Sequence, residues 1–219
     1  MFEPGTLWAL VRRAVVFELR LYRSLFRWVT RLRDVRGDGV EPFGYARQVT
    51  PVIWLWIFAS AVEVPVVHLL VPWESVRIVL LVVSVWGLMW MVGFLASLQV
   101  YPHQLTPAGL RIRHGASVDI TLPWSAIATL TSRRRDLPSS MWTLQHEETE
   151  SGPHLAVAVS GQVNVLLRLR EPITVPTPKG PMTVAELSFL ADEPRALVDR
   201  ARELRGTGTA GRTGRGPAR

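Results

Sequence analysis

The sequence predicts an α+β membrane protein in which a two-helix transmembrane hairpin precedes a small cytoplasmic orthogonal β-barrel, capped by a C-terminal helix. Three observations support this fold class. Two long apolar runs, residues 50–71 and 76–100, are separated by only four residues. After residue 101, short runs alternate between apolar and polar residues. Beyond Pro194, apolar residues recur at helical spacing.

The first region, residues 1–49, begins with a predicted amphipathic helix over residues 7–33, which contain no proline or glycine. Six arginines fall within one arc of roughly 100° on a helical wheel. These residues, named here the arginine face, are Arg12, Arg13, Arg20, Arg23, Arg27 and Arg31. The opposite side is aromatic and aliphatic, and only Glu18 interrupts it.

A basic amphipathic helix is typical of segments that lie on an anionic membrane surface, and we expect that position here. The alternative is that its apolar face packs on the hairpin or on the C-terminal domain. Residues 34–48 contain Gly37, Gly39, Pro42 and Gly44, which predict a connector without regular structure.

Each apolar run of the hairpin region, residues 50–100, is long enough to cross a hydrocarbon layer of about 30 Å. The short turn then places both ends of the chain on one side. Arginines are concentrated before residue 50, whereas only Arg77 flanks the turn. The positive-inside rule therefore predicts that both termini are cytoplasmic. Lys179 is the sole lysine, a usage typical of GC-rich bacterial genomes, so we expect a multi-pass protein of a bacterial inner membrane.

Glu63 and His68 lie within the first apolar run, with Pro65 between them. An ionisable residue at this depth is a candidate functional site because its burial in hydrocarbon is costly. A hairpin that turns near residue 73 places Glu63 level with Ser84, to which a protonated Glu63 can donate a hydrogen bond. Two interpretations stay open. Glu63 serves packing or assembly, or Glu63 and His68 belong to a small transport or channel subunit, which would require an oligomer.

The C-terminal domain, residues 101–205, shows the pattern of a small orthogonal β-barrel, with about seven strands and a final helix. Strands are expected at residues 110–113, 118–122, 127–131, 141–147, 155–159, 163–169 and 183–190, with an edge or return strand at 171–175. Leu197, Ala201 and Leu204 share one face of the terminal helix. Residues 206–219 contain no large apolar side chain and are expected to be disordered.

Three segments carry a resemblance to a known family: residues 105–112 (LTPAGLRI), 122–127 (LPWSAI) and 191–194 (ADEP). They resemble bacterial pleckstrin-homology-like (PH-like) domains, which two transmembrane helices often precede. Members of that family carry no catalytic motif to transfer. The resemblance therefore implies a binding or assembly module.

Arg133, Arg134 and Arg135 follow a predicted strand and precede Pro138, so we expect them in a hydrated loop. Guanidinium groups form paired hydrogen bonds with phosphate oxygens, which makes the triplet a candidate site for lipid headgroups or a protein partner. A solvated charge cluster is the simpler alternative. Nucleic acid is not an expected partner because no strand interleaves aromatic and basic residues.

Catalysis is not expected. The chain has no cysteine, which excludes disulfides and cysteine-bound metals. The five histidines lack metal-ligand spacing, and no serine stands in a Gly-x-Ser-x-Gly context. The sequence therefore predicts a non-enzymatic membrane protein without cofactors, whose cytoplasmic domain acts in binding or scaffolding at the inner leaflet. Its expected partners are anionic lipids and either a protein partner or further copies of the chain.

Overall fold

The computed structural model describes residues 4–32, 34–35, 37–138, 143–149, 152–178 and 180–213. It divides into two compact units. Unit 1 comprises Met1–Asp34 and Arg47–Tyr101, and unit 2 comprises Val35–Ala46 and Pro102–Arg219. Among the described residues the fold is α+β, with four α-helices and two sheets. The chain passes between the units three times, because Val35–Ala46 is inserted between the first two helices.

Unit 1 consists of three helices: α1 (Pro4–Val29), α2 (Thr50–Leu70) and α3 (Glu74–Val100). By length and composition α2 and α3 could each cross a membrane, which confirms the expected pair of long apolar helices. Helix α2 continues through Pro65. The proline leaves the carbonyl of Ala61 without its usual helical donor.

Helix α1 packs lengthwise on α3. Trp86 Nε1 donates a hydrogen bond to Glu18 Oε1 at 2.9 Å. Further along both helices, Leu21 lies against Gly93 so closely that a Cβ on this glycine would be 2.9 Å from Leu21 Cδ2. The contacts follow the same order on both helices, so α1 and α3 run parallel. The structure therefore favours the alternative in which the apolar face of α1 packs on the hairpin.

The C-terminal end of α1 is held beside the end of α3. Trp28 Nε1 donates to Gln99 Oε1 at 2.9 Å, and the Asp34 amide donates to the Val100 carbonyl at 3.1 Å. The helix ends at Val29, before the expected residue 33, because Arg31 adopts a left-handed conformation with φ of 56°. Arg33 lies outside the described residues.

Unit 2 contains two open sheets and a terminal helix. The first sheet is antiparallel in the order β1-β2-β3-β4, formed by Glu41–Phe43, His103–Thr106, Gly109–His114 and Val118–Pro123. The second has the order β5-β8-β9-β7-β6, where β5 to β9 are Ile127–Asp136, Leu144–Thr149, Gly152–Val157, Gln162–Thr177 and Gly180–Phe189. Strands β7 and β9 are parallel, and the other pairs are antiparallel. Among the described strands neither sheet closes on itself, so the structure shows two sheets but not the expected orthogonal barrel.

One hydrophobic core joins both sheets and helix α4 (Pro194–Thr213). Leu197 and Ala201 of α4 are fully buried in it, and Leu204 packs against it. The predicted start of this helix at Pro194 is confirmed. Its end differs from expectation, because α4 continues to Thr213 into the segment expected to be disordered. Each added helical residue forms a further backbone hydrogen bond on a helix already nucleated by packing. Residues 214–219 lie outside the described chain.

Three expectations about strands change. The expected strands at 163–169 and 171–175 are one strand, β8, whose pairing with β9 shifts register between Arg168 and Ile173. The strand expected at 141–147 begins at Leu144 in the structure, and residues 141–142 lie outside the described chain. The connector expected over residues 34–48 contributes β1, which pairs with β2.

This connector is anchored in unit 2 beyond its strand. The Asp192 amide donates to the Gly44 carbonyl at 2.8 Å, and a Cβ on Gly44 would lie 2.5 Å from Asp192 Oδ2. The adjacent Tyr45 is buried, and its hydroxyl accepts a hydrogen bond from the Gly115 amide at 2.6 Å. With the pairing of β1 to β2, these contacts make the connector an integral part of the β-domain.

Two histidines pack against the Tyr45 ring, with centroid distances of 4.8 Å for His103 and 5.5 Å for His114. Burial lowers the pKa of each to about 4. The His103 Nε2 atom lies 2.8 Å from the Leu190 carbonyl, whereas Nδ1 accepts the Arg113 amide at 3.1 Å. A protonated His103 would direct a second N–H against that amide, so the neutral ring fits the fold.

Lowering the pH from 7 to 4 is expected to destabilise unit 2. Unfolded histidines bind a proton near pH 6.5, but the folded rings do so only near pH 4. The stability contributed by the neutral rings is therefore complete above pH 6.5 and falls as the pH drops toward 4, by up to about 3 kcal/mol per ring. Thermal unfolding of the full-length protein in detergent, followed by circular dichroism, measures this. His103→Gln keeps one donor and one acceptor without titrating, so its pH dependence should be weaker. An unchanged dependence would contradict the assignment.

Two glycines of α3 provide a matched test of helix packing. Gly93→Ala should lower the free energy of unfolding of unit 1 by about 1–3 kcal/mol, because the new methyl group overlaps Leu21. Gly87→Ala should leave it unchanged or raise it slightly, since no atom lies within 4 Å of the corresponding Cβ position. Tryptophan fluorescence during thermal unfolding in detergent measures both. Equal effects would show that α1 does not pack at Gly93.

Candidate functional site

Glu63 and Ser84 line one cavity of about 420 Å³ between α2 and α3. Ser60, Gly87 and Met91 also contribute to its wall, and Ser60 Oγ lies 3.8 Å from Met91 Sδ across the two helices. We name this cavity the Glu63 cleft. Glu63 is exposed, and within the described chain it has no hydrogen-bond or ion-pair partner. The structure thus brings the two predicted polar residues to one site without a hydrogen bond between them.

His68 lies outside the Glu63 cleft. It is exposed near the end of α2, five residues beyond Glu63. Residues five apart on a helix point about 140° away from each other. The two groups proposed for a transport site therefore do not converge within one copy of the chain.

The N-terminal part of the arginine face is exposed on α1. Arg12, Arg20 and Arg23 all present more than a third of their surface. Arg13 belongs to the same helix, but its side chain lies outside the described residues. Arg12 and Arg23 remain accessible for an anionic group because α1 packs on α3 through its apolar side.

The C-terminal part of the arginine face has other contacts. Arg27 Nη2 donates to Asp34 Oδ1 at 2.7 Å, and the guanidinium carbon lies 5.9 Å from the centre of the Tyr101 ring. Arg31 follows the helix in its left-handed conformation. Arg27 therefore stabilises the end of α1, whereas the arginines nearer the N-terminus have more exposed positions.

Arg133, Arg134 and Arg135 lie in strand β5, and the expectation of a loop was wrong. The strand continues because β8 pairs with it as far as Asp136. Its register shifts between Ser132 and Arg135, so one additional residue bulges from this edge strand. A bulge and exposed cations are features that keep edge strands from pairing with other chains.

The three arginines of β5 differ in their partners. Arg135 Nη2 donates to Glu147 Oε2 of β6 at 2.7 Å. Arg134 Nε lies 3.8 Å from Asp136 Oδ1, and both of these side chains are about two-thirds exposed. Arg133 is exposed as well. Arg135 consequently joins the two outer strands of the second sheet, whereas Arg133 and Arg134 face solvent.

Sequence analysis missed a line of polar residues across the second sheet. Strand pairing places Arg168 beside Glu186, Glu186 beside His154, and His154 beside Glu147. We name these four residues the polar row. Arg168 Nε lies 2.5 Å from Glu186 Oε1, and His154 Nδ1 lies 3.9 Å from Glu147 Oε2. The sequence signal for the polar row is the alternation of polar and apolar residues in β7 and β9. The polar side chains lie on the face of the sheet opposite the hydrophobic core.

The polar row extends to Ser188, whose hydroxyl lies 2.9 Å from His154 Nε2. A serine, a histidine and a carboxylate are the groups of a nucleophilic triad, but only 2% of Ser188 and 1% of His154 are exposed. Burial lowers the pKa of His154. A substrate cannot reach such a hydroxyl, so these contacts bind strands together. Across the described ranges, no group of three or more His, Asp or Glu side chains is arranged to hold a metal ion.

No family model matches this chain, and no curated protein and no solved structure is significantly similar to it.

Arg168→Met is expected to lower the free energy of unfolding by about 1–3 kcal/mol, because it leaves the buried Glu186 carboxylate without its cation. Arg170→Met is the matched control, since Arg170 is exposed two residues further along β8. Chemical denaturation of the full-length protein in detergent compares the two. If both variants lose the same stability, the polar row does not contribute through this pair.

Proposed function

We propose that this protein is a non-enzymatic integral membrane protein of a bacterial inner membrane. In this proposal α2 and α3 anchor the chain, the end of α3 faces the cytoplasm, and unit 2 is a PH-like domain that binds or scaffolds partners at the inner leaflet. Because α1 runs parallel to α3, its first described residue, Pro4, lies toward the hairpin turn, so the expectation that both termini are cytoplasmic is not part of this proposal. The observation that carries the proposal is the exposed arginine pair on the edge strand β5, in a domain covalently attached to a long apolar hairpin.

The surface of the hairpin supports the anchoring role. Large apolar side chains are exposed along it, among them Leu55, Phe58 and Leu69, with exposed fractions of 66%, 67% and 82%. A continuous apolar surface of this extent is unfavourable in water but suits a lipid environment. The arginines that precede residue 50 favour an orientation in which that end of the hairpin faces the cytoplasm.

The architecture of unit 2 supports a PH-like binding module. Strands of two open sheets followed by one terminal helix share one core, which fits the expected pattern of strands followed by a C-terminal helix. Arg133 and Arg134 are suited to binding an anionic partner because neither is buried in the fold and each can offer paired hydrogen bonds to phosphate oxygens.

The double change Arg133→Gln and Arg134→Gln should weaken contact between unit 2 and an anionic leaflet while leaving stability nearly unchanged. Each arginine near such a leaflet contributes attraction on the order of 1 kcal/mol, whereas exposed pairs add about 0–1 kcal/mol to folding. A fluorophore on Ser132→Cys of the full-length protein in nanodiscs reports proximity to labelled lipid headgroups. Energy transfer should be higher in anionic than in zwitterionic nanodiscs and fall with added salt.

The matched control is Arg195→Gln with Arg202→Gln, which removes the same charge from exposed positions of α4. The proposal expects this control to retain the anionic preference. Equal loss in both double variants would attribute the attraction to net charge alone. A large fall in melting temperature of the β5 variant would mean that its arginines support the fold, which contradicts the proposed binding role.

A further inference from the structure

The Glu63 cleft combines one acidic side chain with indole rings, on a surface that the proposed anchoring exposes to lipid. We propose that this cleft binds a lipophilic organic cation, a small molecule with a quaternary ammonium or phosphonium centre and apolar substituents. The Glu63 carboxylate pairs with the positive centre, and the apolar walls enclose the substituents. This inference rests on the proposed membrane function and adds a ligand that the function alone does not specify.

Small residues create the space of the cleft between α2 and α3. Ser60, Ser84 and Gly87 line it, and among the described residues nothing outside α3 lies within 4 Å of the Cβ position of Gly87. Ser60 Oγ approaches Met91 Sδ to 3.8 Å, seven residues along α3 from Ser84, so the cleft extends about 10 Å along this helix. Its volume of about 420 Å³ lies within the range of small-molecule sites.

Glu63 lies deep within the hairpin and has no partner in the described part of the chain. Ser84 and Gly87, which share the cleft, follow Glu74, the first residue of α3, by ten and thirteen positions. At 1.5 Å per residue the cleft is about 15–20 Å along α3, near the middle of a hydrocarbon layer about 30 Å thick. A carboxylate at this depth is unfavourable unless a cation neutralises it, and the attraction between the two charges is strong because water is absent.

The donor set of the cleft suits an organic cation better than a metal ion. Mg²⁺ and Ca²⁺ take six or more oxygen ligands, whereas the residues that line the cleft offer one carboxyl group and the hydroxyls of Ser60 and Ser84. A hydrated metal ion would also lose its water before it reached the cleft through lipid. A cation whose charge is surrounded by apolar groups enters the hydrocarbon layer at a lower cost.

Trp86 and Trp90 provide aromatic surface for the positive centre. Both line the cleft, and their exposed fractions are 52% and 37%. Hydrogen bonds from Trp86 Nε1 to Glu18 and Tyr22 hold the first ring. The Trp90 ring stacks on Phe94, with 5.8 Å between the ring centres. An indole ring attracts a cation through its negative face. Because the protein itself holds both rings, little conformational freedom is lost when a ligand binds.

Equilibrium dialysis of tetraphenylphosphonium against the full-length protein in non-ionic detergent tests the proposal, with uptake by protein-free micelles subtracted. We expect saturable binding of one cation per chain and weaker binding of neutral triphenylphosphine oxide. Glu63→Gln should lower the affinity about tenfold or more, because the cation loses its charged partner, whereas Glu63→Asp should retain most of the affinity. The matched control is Glu74→Gln, which removes the same charge from an exposed position outside the cleft and should leave binding unchanged.

A second pair of variants tests the aromatic wall. Trp90→Leu should weaken binding of the cation about fivefold, as expected for loss of one cation–π contact. Trp73→Leu changes an exposed tryptophan at the start of α3, outside the cleft, and should have no effect. Circular dichroism checks that each variant retains its helices, so that a loss of binding is compared between folded proteins.

The inference is overturned by unsaturable uptake, by equal affinity for the neutral compound, or by equal losses in Glu63→Gln and Glu74→Gln. Undiminished binding to Glu63→Gln would also overturn it. If Glu63→Gln changes self-association while the wild-type chain binds no cation, the cleft belongs to a second copy of the chain instead. Carbonate extraction of membranes tests the anchoring separately. A chain that resists extraction without binding the cation contradicts this inference alone, whereas complete extraction would overturn both.

Discussion

The hydrogen bonds from Trp86 to Glu18 and Tyr22, both at 2.9 Å, determine the position of α1 and thereby the level along α3 at which its arginines lie. Helix α1 is amphipathic, and a surface position would leave Glu18 facing the apolar boundary. Packing on α3 adds the Trp86 indole N–H as a neutral donor to this carboxylate, beside the Tyr22 hydroxyl of α1 itself. The same contact sets the close approach of Leu21 to Gly93 and the exposure of the arginine face.

The two units cannot be separated at a single point in the sequence. A cut after Tyr101 would remove β1, which pairs with β2, and would also remove Tyr45. The Tyr45 hydroxyl is the acceptor for the Gly115 amide, and its ring fills the space between two neutral histidines. Unit 2 is therefore built from two separate stretches of the chain, Val35–Ala46 and Pro102–Arg219.

Apolar periodicity was enough to predict the two long helices, the terminal helix at Pro194 and most strands of unit 2. Apolar periodicity failed where the same residue type occurs in two different structural environments. Glu18 interrupts an apolar face, and the sequence alone does not show that Trp86, 68 positions away, satisfies it. The arginines of β5 suggested a loop because they follow a predicted strand and precede Pro138, whereas pairing with β8 keeps them in a strand. Alternation in β7 and β9 indicates that each strand has a polar side, but the alignment of the polar row depends on the register of four strands, which the sequence does not show.

The polar row explains how the second sheet tolerates buried charge. Removing Glu186 and His154 from water is costly, and a buried ion pair of this kind contributes little net stability. The polar row instead fixes the register in which the strands pair. Shifting β7 or β9 by one residue would turn these side chains into the apolar core that Leu155 and Leu187 now occupy. At the open edges, Glu147 and Arg135 extend the same constraint from β6 to β5. One arginine of the triplet is thus committed to the fold, and this leaves the exposed pair beside it available for a partner.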